Sequence, residues 1–358
     1  MIIIDGFHAG TGRGVGNYVD NLLCQLDSLP KIAQQIIVVV RRKQRHKIPL
    51  VPNLKVLVFP SLPFPLWENI LIPILCWILR PSILHSPCNS GPLVPVFTKR
   101  FLTLHDIIFM HGPDKVIPPS NLYQRIGRLY LRFNLKILCR VYDHIFTVSD
   151  FSRSEIVNLL PIDPSRVTRI YEGAGTKFQI DLKADDEKKI VLHFGSDDPR
   201  KNTIRSVEAF LGSELPKYGY KLVVVGSCNV SRIASSVDIQ VEKFVEFRGF
   251  VSVEDLRDLS VRSLCLLYCS TYEGFGMPIV EFQEIGVPVI TSRTTSCAEI
   301  CGDGGILVDP VDTASIVNAL NEIHFNETLR ADVIAKGKIN SAKFSWEKCV
   351  VELASYYA

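Results

Sequence analysis

The stretch SLCLLYCSTYEGFGMPIVEFQEIGVPVITS, residues 263–292, decides the fold. It opens on an apolar run, SLCLLYCS, with no alternation, the pattern of a strand covered on both faces. Tyr272 and Glu273 turn the chain, Gly274 and Gly276 permit backbone angles closed to other residues, and Pro278 suits the first turn of a helix running to about Ile285. Gly286 ends that helix and VPVITS begins a second strand. Strand, helix and strand in this order form one βαβ unit, whose strands are parallel.

The same rhythm extends in both directions. IIID (2–5), IIVVV (36–40), LKVLVF (54–59), SILHS (82–86), RFLTLHD (100–106) and HIFTVS (144–149) read as strands in the first half. KIVLHFG (189–195), KLVVVG (221–226), VEFRGF (245–250), SLCLLYCS (263–270), VPVITS (287–292) and GILVD (305–309) follow in the second. Two such series predict an α/β protein of two doubly wound, Rossmann-like parallel-sheet domains. The boundaries fall at 1–174 and 189–342, with a polar linker at 175–188 and a terminal segment at 343–358. A chain of 358 residues suits two domains.

Composition narrows the class. With 47% hydrophobic and 22% charged residues the chain buries a large interior. The net charge is only +3, yet residues 1–172 hold 20 Lys/Arg against 11 Asp/Glu, a net +9, while 173–358 hold 20 against 26, a net −6. That split implies an anionic surface or ligand approached by the first half only, and no nucleic-acid partner is expected. The ten cysteines are scattered, without a Cys-x-x-Cys. Cys265/Cys269 and Cys297/Cys301 invite a zinc reading, but no His stands at finger spacing, so reduced core thiols are expected. MIIIDGFHAG has neither a basic n-region nor a long apolar stretch, so a cytoplasmic protein is expected. NILIPILCWIL (69–79) contains Pro73 and falls short of the roughly 20 residues needed to cross a bilayer. It is either a buried helix or one docked on a surface.

Ligands of parallel sheets bind beyond the carboxyl ends of the strands, and the chemically suggestive residues stand there. Gly10, Gly12, Gly14 and Gly16 alternate before a helix starting near Val15, which suits either close approach of an anion or a flexible turn. This loop lacks dinucleotide spacing, because positions 15 and 17 are Val and Asn, and IIVVV runs into Arg41 and Arg42 rather than an acid. His105 ends a strand, where it donates to a sugar hydroxyl or orients a leaving group, with Asp106 fixing its surroundings; a purely structural histidine is the alternative. Arg200 and Lys201 precede a helix that Asn202 or Thr203 caps. Two cations and uncapped amides at one point fit a diphosphate, although a solvated basic pair has the same sequence. Amides around Gly276 to Ile279 form a second positive helix end. Glu273 precedes it and Glu281 falls in the first helical turn, each able to accept from vicinal sugar hydroxyls; the alternative is an ordinary capped helix.

These residues carry a resemblance. YEGFGMPIVE, GSDDPRKN and GVPVITSRTTSCAEICGDGGILVDP resemble the C-terminal domain of retaining glycosyltransferase family 4, whose signature is a Glu, seven residues and a second Glu. LHDIIF, FTVSDFSRSEI and the glycine loop are similar to its N-terminal domain, and FSWEKCVVELASYYA to the segment that crosses back onto that domain. The resemblance covers nearly the whole chain. It implies the GT-B fold, two Rossmann-like domains facing a central cleft. It implies that Glu281 holds the nucleotide ribose, that Glu273 and His105 contact the donor sugar, and that Arg200 and Lys201 neutralise the diphosphate. Backbone around Gly274, Phe275, Gly276, Met277, Pro278 and Ile279 would cradle the phosphate, Gly14 would approach it from across the cleft, and Arg248 and Gly249 would lie against the base.

The implied activity is retaining, metal-independent hexosyl transfer without a cofactor, from a nucleoside-diphosphate sugar to a saccharide or lipid-linked acceptor in polysaccharide or glycolipid synthesis. No Asp-x-Asp is present to hold a cation. Donor frequency in the family puts a UDP-hexose such as UDP-glucose first and GDP-mannose next. A dinucleotide-dependent enzyme is disfavoured by the glycine spacing, and an inert sugar-binding scaffold by the presence of Glu273, Arg200 and Lys201. Arg125, Arg128, Arg132, Lys136 and Arg140 share one helix face, with Leu129, Phe133, Leu135, Ile137 and Leu138 between them. Together with RRKQRHK (41–47) they make either a solvated rim or a site for peripheral attachment to the anionic inner membrane face.

Overall fold

The computed structural model describes residues 1–12, 14–111, 122–174, 189–237 and 241–357; the predicted linker, 175–188, lies outside the described residues. The chain divides into two compact units. The first holds the described residues up to Gly173 except His111, together with Ser345–Ala358, and the second the described residues between Ala174 and Phe344.

In the first unit seven strands form one parallel sheet: β1 (Ile2–Asp5), β2 (Ile36–Arg41), β3 (Lys55–Phe59), β4 (Ile83–Ser86), β5 (Lys99–Leu104), β6 (His144–Thr147) and β7 (Val167–Arg169). Their order is β3-β2-β1-β4-β5-β6-β7. The second unit has six, β8 (Ile190–Phe194), β9 (Lys221–Val225), β10 (Val245–Gly249), β11 (Ser263–Tyr268), β12 (Val289–Ser292) and β13 (Ile306–Val308), in the order β10-β9-β8-β11-β12-β13. The predicted strands are all present. β7 was not anticipated: three residues at a sheet edge, one buried and two half-buried, give periodicity nothing to register. In each sheet the order reverses once, between β1 and β4 and between β8 and β11. Such switch points leave a crevice beyond the strand ends, so the loops after these four strands are the places for ligands.

Burial explains why these runs form central strands. Ile3, Ile4, Val38, Val39, Leu84 and Leu102 are inaccessible in the first sheet, as are Val191, Leu192, Leu222, Leu266 and Leu267 in the second. Eight of the ten cysteines belong to the interiors, Cys24 being exposed and Cys228 half-buried; all ten are free thiols, and burial pushes Cys265, Cys297 and Cys301 up to about 12. The 69–79 segment is buried on one side only. Ile72, Leu75 and Cys76 pack inward, while Ile70, Ile74, Trp77 and Ile78 remain exposed.

The terminal helix, Trp346–Ser355, is part of the first unit, packed on the helix Val15–Asp27. Beyond it Tyr357 places its hydroxyl 2.6 Å from Nδ1 of buried His85, and the hydroxyls of Tyr356 and Thr168 lie 3.1 Å apart.

Gly226, after β9, has φ +124°, and a β-carbon there would stand 2.1 Å from the Gly195 carbonyl oxygen. Gly219 has φ +78° with open space around it. Gly219→Ala should therefore cost only the left-handed conformation, about 1–2 kcal/mol. Gly226→Ala should cost about 2–3 kcal/mol or more, since the backbone must also part. Equal losses in urea unfolding would show that the close approach is not what selects glycine.

Candidate functional site

The loops after β8 and β11 converge. Pro199–Lys201 forms a short 3-10 turn, capped by Asp198, whose Oδ1 accepts from the Arg200 amide at 3.0 Å. Asn202 then takes a left-handed conformation and its amide donates to the carbonyls of Cys269, 3.0 Å away, and Pro310, 2.7 Å away. The Thr271 amide donates to the Arg200 carbonyl at 2.8 Å. These bonds lock the cationic turn against the end of β11 before the helix Thr203–Gly212 begins.

At the centre is a half-buried cluster built on the buried Tyr268. The Lys201 ammonium donates to Glu273 Oε1 at 2.7 Å and to the Tyr268 hydroxyl at 3.1 Å, and that hydroxyl donates to the same Oε1 at 2.8 Å. Burial acts to raise Glu273, but Lys201, with hydrogen bonds from Lys201, Ser270 and Tyr268, holds the carboxyl below its usual range. Burial likewise opposes charge on Lys201, yet Glu273 and Tyr268 outweigh it and raise the ammonium above its ordinary value. Both groups are ionised near neutrality. Glu273 is thus an acceptor and not a proton donor. Arg200 is held by Asp198 Oδ2, which accepts from Nε at 2.8 Å and Nη2 at 2.6 Å. Both predicted phosphate ligands are therefore paired with carboxylates. Among the described residues the ammonium of Lys201 uses two of its three N–H groups, leaving one for a ligand.

Gly276 caps the helix Met277–Glu284 at φ 100°, with no side-chain cap. The predicted cradle is smaller than expected. Pro278 has no N–H, the Ile279 amide donates to Gly276 O at 2.9 Å, and the Phe275 ring packs edge-on against Phe344. The amides of Gly276 and Met277 have no hydrogen-bond partner among the described residues. A second correction concerns Glu281: the helix starts at Met277, so Glu281 is in its second turn and is largely buried. Gly274 follows Glu273, whose carbonyl accepts from Ser296 Oγ at 2.9 Å. Arg248 and Gly249 end β10; Arg248 pairs with Glu246 at 2.5 Å and Gly249 turns at φ 62°, its carbonyl accepting from the Gly226 amide at 2.7 Å.

In the first unit Gly14 is the cap of the helix Val15–Asp27, with φ 44° and no contact for an added β-carbon. One turn on, Tyr18 sets its ring edge-on to His105 at 4.5 Å. The ring of His105 is held between Glu172 and Pro87: Nδ1 lies 3.1 Å from Glu172 Oε1 and Nε2 3.3 Å from the Pro87 carbonyl. Asp106 instead accepts from the Ile108 amide at 3.1 Å. Glu172 escaped the sequence reading because it follows the unanticipated β7, and Tyr268 because it ends an apolar run that reads as core. Among the described residues no three His, Cys, Asp or Glu side chains are grouped to hold a metal ion.

Two family profiles match, Glycosyltransferase Family 4 over residues 12–178 and Glycosyl transferases group 1 over 176–339. The chain belongs to this glycosyltransferase family. Its relatives include the O-antigen chain mannosyltransferase B of Escherichia coli, 30% identical over 60% of this chain and 60% of that one. The O-antigen chain mannosyltransferase RfbU of Salmonella typhimurium is 27% identical over 66% and 64%. The chain thus spans less than two thirds of the length of either. The crystal structure of Anabaena Alr3699/HepE in complex with UDP and glucose superposes with a TM-score of 0.74 at 18% identity, covering 99% of this chain and 98% of that one. The fold is GT-B.

Lys201→Met should lower stability by about 3 kcal/mol, the low end for breaking a buried pair, because Lys201 keeps 27% of its side-chain surface. Glu273 titrates below its ordinary 4.5 and Lys201 above its ordinary 10.5. The contribution of the pair is accordingly complete between these values, lost as pH falls through the folded value of Glu273 or rises through that of Lys201. Unfolding of wild type and variant should converge in acid; a gap independent of pH from 3 to 8 would contradict the pair's role.

Proposed function

We propose that this protein transfers a hexose from a nucleoside-diphosphate sugar to a saccharide or lipid-linked acceptor in polysaccharide or glycolipid synthesis. The observation that carries the reading is the half-buried Lys201–Glu273–Tyr268 cluster beside the Gly276 and Met277 amides. It pairs a sugar-sized acceptor with a cation and a positive helix end. The diphosphate takes the third N–H of Lys201, the two amides and the guanidinium of Arg200. Glu273 accepts from the donor sugar and Glu281 from the ribose, with backbone at Arg248 and Gly249 against the base. His105, oriented by Glu172, is the first unit's donor to a sugar hydroxyl.

The reaction is retaining. The C1–O bond to the diphosphate breaks, and the acceptor oxygen bonds to C1 from the same face. The acceptor's proton goes to the departing diphosphate, the base at hand because Glu273 is already engaged by Lys201, Tyr268 and Ser270. Negative charge grows on the leaving oxygen beside Lys201 and the helix end, which take the role a divalent cation has in other transferases. Metal independence follows as a proposal.

Mannose is the sugar named for both O-antigen relatives, which supports GDP-mannose ahead of UDP-glucose for this chain. A cytoplasmic location with attachment to the anionic membrane face is supported by the helix Leu122–Val141, which presents Leu122, Ile126, Leu129 and Phe133 at helical spacing to solvent. No described helix is long and apolar enough to cross a membrane.

Arg200→Ala and Lys201→Ala should each lower kcat about 10²-fold, as loss of an oxyanion-stabilising donor does. The wild-type rate should survive EDTA, and product NMR should show the donor's anomeric configuration kept. Wild-type turnover in both variants would sink the mechanism. In flotation, vesicles containing anionic phosphatidylglycerol should carry the protein and neutral phosphatidylcholine vesicles should not; equal recovery would reject the membrane contact.

A further inference from the structure

The first unit holds a buried acid that the proposed reaction does not use. Glu68 stands in a single π-type turn, Trp67–Leu71, and is inaccessible to solvent. Its Oε1 accepts three bonds, from Ser90 Oγ at 2.8 Å, the Tyr130 hydroxyl at 2.9 Å and Asn134 Nδ2 at 3.0 Å. None of these donors is a cation. Oε2 has no partner among the described residues, and neither have Oδ1 of buried Asn134 and Oδ2 of buried Asp5. A carboxylate at this place is a buried charge with one oxygen unsatisfied, which is costly. A carboxylic acid is uncharged and brings one O–H donor to a cluster that is short of donors.

The surroundings act in the same direction. Burial raises the Glu68 carboxyl to about 7 against the bonds from Ser90, Tyr130 and Asn134, and Asp5 adds to the rise. Asp5 is itself raised to about 6 by burial. The titratable groups facing Glu68 are Asp5 at the end of β1, Cys88 after β4, Tyr130 on the helix Leu122–Val141 and Tyr142 just beyond it. All four are acids, and the cation Arg41 acts on Asp5.

Glu68 fastens one half of that helix. Tyr130 and Asn134 stand one turn apart, and Asn69, next to Glu68, donates from Nδ2 to the Tyr130 hydroxyl at 2.8 Å while its Oδ1 accepts from the Leu93 amide at 2.9 Å. Leu122, Ile126, Leu129 and Phe133 are exposed, so the first half of the helix is held less by packing than by these bonds. Leu135, Leu138 and Cys139 seat the second half in the core.

We propose that Glu68 is a proton-operated clasp, which as the acid closes the first half of the helix onto the sheet and, on giving its proton to water, lets that half open. The inference does not depend on the transferase reading. The sign follows from linkage. Hydrated in the open form, Glu68 returns to its ordinary 4.5, so closure is undiminished below that value, weakens as pH rises, and changes no further above about 7.

Hydrogen exchange of the full chain, corrected for intrinsic rates, tests this. The opening equilibrium of amides 129–134 should rise between pH 5 and 8 by about 70-fold, the effect of one proton bound at about 7 when closed and 4.5 when open. Glu68→Gln, which copies the neutral acid, should flatten this rise; Asp5 is present in both proteins, so its own titration cancels. Tyr130→Phe should open the same amides at least threefold further at every pH, and it carries the test if Glu68→Gln does not fold. An equal pH response in Glu68→Gln, amides that ignore pH in wild type, or unaltered exchange in Tyr130→Phe overturns the proposal. So does exchange in β1 and β4 that rises in step with the helix, since the whole unit then opens and not the clasp.

Discussion

The half-buried pair of Lys201 and Glu273 is the constraint on which the second unit's site depends. It joins residues 72 positions apart, on the loops after two neighbouring strands. Desolvation of both charges opposes it, and the arrangement stands because every component is bonded further: Glu273 also to Tyr268 and Ser270, the Arg200 carbonyl to the Thr271 amide, and Asn202 to the Cys269 and Pro310 carbonyls. The left-handed Asn202 and Gly276 then set where the two helices start. A ligand meets a preorganised, nearly neutral cluster. The cluster keeps one unspent N–H beside two amides at a helix start, and the acid beside the cation stays ionised.

Much of the fold was legible because both faces of each sheet are covered. A strand buried on both faces, such as Ile36–Arg41 or Ser263–Tyr268, needs an uninterrupted apolar run, and such runs stand out. The three residues of Val167–Arg169 carry no such signal, and the miss propagated to Glu172 and so to the orientation of His105. Glycine, proline and acid positions announced the turn at 272–278, but counting donors needed coordinates. Whether the Ile279 amide turns back on Gly276, and whether the helix starts one residue earlier or later, decides which groups face a ligand. Tyr268 shows the same limit, since its hydroxyl matters only through a lysine 67 residues away.

In the first unit the helix Leu122–Val141 carries two kinds of apolar residue that the sequence does not separate. Leu135, Leu138 and Cys139 go into the core, whereas Leu129 and Phe133, which read as packing residues, face solvent beside the stripe of Arg128, Arg132 and Lys136. Periodicity finds the stripes of a helix, but which stripe meets the sheet is a tertiary fact.

Net charge and the proposed donor site point to different halves of the chain. The +9 first half suggested that an anion approaches there alone, whereas the cations of the proposed donor site, Arg200 and Lys201, are in the half whose net charge is −6. Capture at that site does not need a broad positive field, because two amides at a helix start and a few N–H groups within bonding distance act over the first turn only. A long-range field is useful for an anion that is large, surface-bound or slow to orient. The first unit's excess charge, concentrated along Arg41–Lys47 and one helix face, is suited to that longer range.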